Sequence, residues 1–149
     1  MQRQEKGFTL IELLIVVAII GLLATISVLI LNGARAKSRD AKRVSDVQVL
    51  RAGLEQHWLE RASYPVSSPI SLGVGNAIVL TSNGFEAAAT GDVYLPRVPL
   101  GPKSGETYQY EGNASGYAIR FTTEGQTTYG GSGTYYAHSN GVDTDPGLK

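Results

Sequence analysis

The sequence predicts an α+β fold: a long N-terminal helix whose second half packs against a small antiparallel β head. Three observations predict it. Nineteen of the 24 residues from Phe8 to Leu31 are apolar. Helix-type periodicity then continues without a proline until Pro65. Residues 62–149 hold 14 of the 18 glycines, all six prolines and all eight tyrosines, a composition of turns and strands rather than helices. The 149 residues suffice for one small domain plus an anchor.

The elements follow in order. Residues 1–7 form a short polar leader with Arg3 and Lys6. Residues 8–31 are interrupted only by Thr9, Glu12, Gly21, Thr25 and Ser27. As a helix this stretch covers roughly 36 Å, enough to cross a bilayer core. It is apolar on every face, unlike a helix that buries one stripe in a soluble core. From residue 32 to 61 the helical pattern persists with a changed composition. Val44, Val47, Leu50, Leu54 and Trp58 recur at spacings of three and four, one apolar stripe that needs a soluble partner. Lys42 with Asp46 and Arg51 with Glu55 are i,i+4 pairs that support the opposite face. Gly33 and Gly53 are the only weak helix formers there. A single helix of about 50 residues, roughly 80 Å long, results. It ends at Ala62-Ser-Tyr-Pro65, where Tyr64 precedes a proline and is pushed out of helical geometry.

Residues 62–149 supply the partner for the stripe. A short strand is expected over Ala77–Thr81, and an extended loop where Pro96, Pro99 and Pro102 punctuate the chain. Thr107–Glu111 and Tyr117–Thr123 alternate around Gly112–Gly116 and predict a hairpin. A third strand near Thr134–His138 completes a three-stranded sheet. Tyr108, Tyr110, Tyr117, Tyr129, Tyr135 and Tyr136 are expected in the core and on the sheet face, with hydroxyls reaching the surface.

The formal charge of zero is unevenly distributed: residues 32–61 carry +3 and residues 62–149 carry −3. This balance argues against a basic nucleic-acid binder and against a disordered acidic tail. The absence of cysteine excludes disulfides, thiolate zinc sites and thiol nucleophiles. No Gly-x-Ser-x-Gly, His-Glu-x-x-His or phosphate-loop pattern occurs, and His57 and His138 are far apart, so an enzyme is not expected. His57 reads as a helix-surface or core-edge residue.

The segment Gly7-Phe8-Thr9-Leu10-Ile11-Glu12, preceded by a basic leader and followed by an uncharged apolar span, resembles the prepilin signal of type IV pilins and type II secretion pseudopilins. The amphipathic helix ending in Tyr64-Pro65 is also similar to that family. The resemblance implies a pilin-like fold and a structural subunit of a pilus or pseudopilus. It implies cleavage after Gly7 by a prepilin peptidase that also methylates the new amino terminus at Phe8. It further implies assembly through the N-terminal helix with copies of the chain and with minor pilins, on an inner-membrane assembly platform. Before assembly the apolar segment sits in membrane lipid as a single pass with the head outside the cytoplasm.

Each motif residue has a physical rationale. Gly7 lets a protease approach the backbone closely. Glu12 places a carboxylate in an apolar helix at a cost of about 2.5–3.5 kcal/mol at the bilayer centre, less near an end. The amine released at Phe8 lies one helical turn away and can pair with Glu12 of its own chain or of a neighbour. The alternative is that Glu12 only snorkels to the headgroups. Gly21 suits close helix packing, and Leu29 stands where the family often has a proline, which speaks against loosening of the helix there.

Arg35, Lys37, Arg39, Lys42 and Arg43 form a basic collar just beyond the span. It suits anionic headgroups or acidic heads of neighbouring subunits. DNA phosphates are the weaker alternative, because no aromatic residues interleave the cluster. Positive-inside counting sets these five against two in the leader, in conflict with the implied topology. Asp143 and Asp145 offer alternate oxygen ligands, and some heads of the family carry calcium near the C-terminus; the spacing is not that of an EF-hand, and an Asn/Asp/Gly turn explains it equally. No other cofactor is implied. Asn113-Ala-Ser115 fits a glycosylation sequon. A second reading of the chain is an extracellular binding domain that uses the apolar run only as export signal or anchor, with Ala34-Arg-Ala36 as a superficial cleavage site.

Overall fold

The computed structural model of the chain describes residues 7–149. Except for Gly7, the leader lies outside the described residues. One helix, α1 (Leu10–Arg61), runs unbroken across the expected boundary at residue 32. Compact packing instead divides the chain between Arg35 and Ala36.

In the first unit the apolar side chains of α1, from Leu10 to Leu31, are all exposed. The helix passes through Gly21 and Leu29 without interruption. Its few polar groups are satisfied locally. Thr25 Oγ1 donates to the Gly21 carbonyl at 2.9 Å and Ser27 Oγ to the Leu23 carbonyl at 2.8 Å. This back-bonding removes polar hydrogens from an apolar surface, as a bilayer requires.

The second unit is built on the predicted stripe. Val47, Leu50 and Leu54 are fully buried, while Val44 and Trp58 lie at the core edge. Helical geometry ends at Arg61 because Ala62 takes a left-handed conformation (φ 50°) and donates its N–H to the Trp58 carbonyl at 2.8 Å. The i,i+4 pair Lys42–Asp46 forms at 2.6 Å. Arg51 and Glu55 do not pair with each other. Arg51 donates to the Ser139 carbonyl and Glu55 accepts from the Tyr64 hydroxyl, because tertiary partners outcompete an exposed helix pair.

The head contains more strands than the sequence signals. β1 (Ser67–Ser71), β5 (Gln109–Asn113), β6 (Gly116–Thr123), β7 (Gly133–His138) and β8 (Gly141–Asp143) form an antiparallel sheet in the order β1-β5-β6-β7-β8. β2 (Val79–Thr81), β3 (Gly84–Glu86) and β4 (Val93–Leu95) form a second sheet in the order β3-β2-β4. The predicted hairpin is β5–β6, with Asn113 opposite Gly116. The three-stranded expectation is therefore corrected to five strands plus three. The missed strands are only three to five residues long. A run that short holds too few alternations to stand out.

Gly53 has a packing role that its poor helix propensity concealed. A Cβ there would lie 2.6 Å from Leu95 Cγ, so the missing side chain lets β4 approach α1. Tyr108, Tyr110 and Tyr117 lie in the core with their hydroxyls inside it, whereas Tyr129 and Tyr136 are half-buried and the Tyr129 hydroxyl meets the exposed Gln48. Tyr108 donates to Asp46 at 2.8 Å, Tyr110 to the Pro65 carbonyl at 2.7 Å, and Tyr135 to the Gly131 carbonyl at 2.9 Å. The Tyr117 hydroxyl is buried without a partner among the described residues. Burial raises the phenol pKa of Tyr108, Tyr110 and Tyr117, and the Asp46 carboxylate adds to the effect at Tyr108.

Candidate functional site

The processing segment is non-helical and open. Gly7, Phe8 and Thr9 precede α1, all three are exposed, and Phe8 retains 84% of its accessible surface. A Cβ placed on Gly7 would meet nothing within 4 Å. Among the described residues, no packing contact requires glycine at this position.

Glu12 occupies a defined position at the start of α1. Its Oε2 accepts from the Thr9 backbone N–H at 2.8 Å and from the Thr9 hydroxyl at 2.7 Å, while the Glu12 N–H donates to Thr9 Oγ1 at 3.3 Å. This is a capping box: Thr9 caps the helix and Glu12, three residues on, reaches back. The pattern Thr-x-x-Glu before an apolar run was legible in the sequence and marks Thr9 as a site residue missed at that level. The box also folds the Glu12 carboxylate back toward the amino-terminal end of the helix. There the helix dipole favours an anion, and the Phe8 amine appears on cleavage.

The basic collar separates into two groups. Arg43 is 1% exposed and its guanidinium contacts three carboxylates: Asp40 at 2.6 Å, Glu106 at 2.6 Å and Glu124 at 2.7 Å. Arg39 pairs with Glu124 at 2.6 Å, and Lys103 joins the same carboxylate at 3.1 Å. Asp40 in turn accepts the N–H groups of Glu124 and Gly125, which fastens the loop after β6 to α1. Arg39, with Arg43 and Lys103, holds the Glu124 carboxyl well below the usual range, and Arg43 lowers that of Glu106. Lys42 is occupied by Asp46 and the Leu100 carbonyl. Three of the five collar cations thus bond within their own chain. Arg35 and Lys37 alone have no ion pair among the described residues. Arg39, Lys42 and Arg43 find their partners 3 to 85 residues away in the same chain.

Asp143 and Asp145 converge on the Lys149 ammonium, at 2.7 and 2.9 Å. Lys149, together with the Asp145 backbone N–H, pulls the Asp143 carboxyl down to about 2. The buried His138 ring lies alongside, Nε2 at 3.2 Å from Asp143 Oδ1 and Nδ1 at 2.9 Å from the Tyr117 carbonyl. No group of three or more metal-ligating His, Asp or Glu side chains is found among the described residues. As arranged, the two carboxylates do not fit the six to eight oxygens that calcium takes, because an ammonium stands between them. His57 is buried and structural: Nδ1 lies 2.7 Å from the Ser63 carbonyl and the ring packs edge-on to Tyr94.

Residues 2–28 match the family model described as the prokaryotic N-terminal methylation motif. No solved structure matches the chain. Among characterised proteins, the type II secretion system core protein G of Dickeya chrysanthemi is 32% identical over 107 residues, covering 71% of this chain and 68% of that protein. The protein of the same name from Vibrio cholerae is 31% identical over 133 residues, covering 89% of this chain and 88% of its own length. That from Escherichia coli is 37% identical over 65 residues, 44% of this chain and 45% of that protein. The similarity therefore reaches well past the methylation motif into the head, and the chain belongs to the family of type II secretion system core protein G.

Proposed function

We propose that the chain is a pseudopilin, a non-enzymatic structural subunit that is cleaved by a prepilin peptidase and assembles into a pseudopilus. The observation that carries this reading is an exposed, non-helical Gly7–Phe8 joint immediately before a capped helix whose first 22 residues bury nothing. Cleavage there releases an amine one helical turn from Glu12. In a filament that amine and a Glu12 carboxylate, of the same or a neighbouring subunit, cancel each other's charge in apolar surroundings. The cancellation favours one axial register between adjacent helices. Thr9 positions the carboxylate for it.

Before assembly the apolar half of α1 anchors the chain in the membrane, with the head on the periplasmic side. In the folded chain only Arg35 and Lys37 of the collar remain for headgroups, equal in number to Arg3 and Lys6 of the leader. The partners are the peptidase and methylating enzyme, other copies of the chain, minor pseudopilins and an inner-membrane platform.

Amino-terminal sequencing of the exported chain tests the proposal. A start at N-methylated Phe8 is expected. A start at Lys37, after Ala34-Arg-Ala36, would show the apolar run to be a discarded export signal and end the filament reading.

A further inference from the structure

We infer that Asn113 is an acceptor for N-linked glycosylation, at the apex of the β5–β6 hairpin. The inference rests on the reading above in one respect, that the head lies outside the cytoplasm, where oligosaccharides are transferred to protein in bacteria.

Of the five asparagines in the chain, Asn113 alone is followed two residues later by Ser or Thr. Two residues before it stands Glu111, so the segment Glu111-Gly-Asn-Ala-Ser115 has the acid–x–Asn–x–Ser form of the extended bacterial acceptor sequence. The fold presents all three readable side chains. β5 alternates exposed and buried residues, with Gln109, Glu111 and Asn113 on the exposed face, and Ser115 is exposed in the turn. Glu111 has no ion pair among the described residues, so its carboxylate is open to a cationic group of an enzyme.

The acceptor amide is also oriented. Asn113 Oδ1 accepts the N–H groups of Ser115 at 2.8 Å and Gly116 at 2.9 Å. Two donors on one side fix that atom as the oxygen. The amide nitrogen Nδ2 therefore faces away from the turn, and it has no acceptor among the described residues. This is the nucleophilic atom. The turn is held on a fixed support: the Ala114 carbonyl accepts the Tyr64 N–H at 3.2 Å, the Lys149 carbonyl accepts the Tyr117 N–H at 3.2 Å, and Gly112 is buried where a Cβ would lie 2.8 Å from the Pro65 carbonyl oxygen. Asn113 and Ser115 themselves stay exposed at the reversal of the chain.

The chemistry is a substitution without redox change. Nδ2 bonds to the anomeric carbon of a polyprenyl-pyrophosphate-linked oligosaccharide while the bond from that carbon to the pyrophosphate oxygen breaks. The lipid pyrophosphate leaves with the electron pair, and the one proton lost by the amide passes to water, leaving the pyrophosphate anion and the glycosylated amide.

The test uses the purified, folded full chain in detergent with an acid-dependent bacterial oligosaccharyltransferase and its lipid-linked oligosaccharide. Tryptic peptide 104–120 is read by mass spectrometry. It is expected to gain the oligosaccharide mass, to lose it in Asn113→Gln and Ser115→Ala, to keep it in Ser115→Thr, and to fall at least tenfold in occupancy in Glu111→Gln. An unmodified peptide from the folded chain overturns the inference, and so does occupancy indifferent to Glu111. The same peptide is then followed in cells containing the transfer machinery, in chains shown to start at Phe8. Modification in the purified reaction but not in those cells overturns the periplasmic placement of the head. Failure in the purified reaction, with normal filaments in cells, overturns the acceptor assignment alone.

Discussion

Arg43 shows how much one side chain decides in this head. Its guanidinium is shared by Asp40, Glu106 and Glu124, and none of those pairings except the one to Asp40, at i,i+3, is local. Removing the cation leaves the buried Asp40 and the partly buried Glu106 and Glu124 crowded without it. Arg43→Ala is expected to destabilise the chain by about 3–5 kcal/mol, measured by denaturant unfolding in detergent. The carboxyls of Glu106 and Glu124 are lowered in the folded state, so their contribution is fully present above the ordinary glutamate value of about 4.3. It is lost as pH falls below that value toward the depressed folded ones. Wild-type stability should therefore drop below about pH 4, whereas Arg43→Ala should lose less over the same range. Parallel pH profiles for the two proteins would remove Arg43 from this account.

For the elements, the helix and the β5–β6 hairpin owe most to local sequence, and the smaller sheet owes most to packing. The contact of α1 with β4 depends on the missing side chain of Gly53. Gly53→Ala gains about 1 kcal/mol of helix propensity but forces Leu95 to move, at about 1–3 kcal/mol. A net loss of about 1 kcal/mol is expected, seen as a lower unfolding midpoint with an unchanged denaturant slope. A stabilised variant would mean that β4 yields freely. The capping box at Thr9 and Glu12 belongs to this scale too: it ties the start of the helix to the carboxylate proposed to act in assembly.

Across the whole molecule, a net charge of zero conceals a division of labour. Most of the positive excess of residues 32–61 is spent within the chain, on carboxylates of the head. Glu12 is the one acidic residue in the apolar run. Glu12→Ala is therefore expected to insert into membranes like the wild type, assayed by resistance to carbonate extraction, and to yield no filaments by electron microscopy. Normal filaments from this variant would show that the amine–carboxylate pair does not set the register.

The sequence by itself determined the long helix, its apolar and amphipathic halves, the processing motif and the central hairpin. Those features arise from periodicity, composition and residues at most a few positions apart, which is the range over which a chain without tertiary contacts still has a pattern. Only the tertiary structure decided the rest. It enlisted the collar arginines as internal clamps, because their partners lie up to 85 residues away. It turned the hydroxyls of Tyr108 and Tyr110 inward, because acceptors such as Asp46 and the Pro65 carbonyl were within reach. It set Lys149 between Asp143 and Asp145, and it added to the patterned strands β1, β3, β4 and β8, runs of three to five residues that no local pattern marks. The physical reason is common to all of these: hydrogen bonds and charge pairs are decided by what burial brings together, and burial is a property of the folded chain.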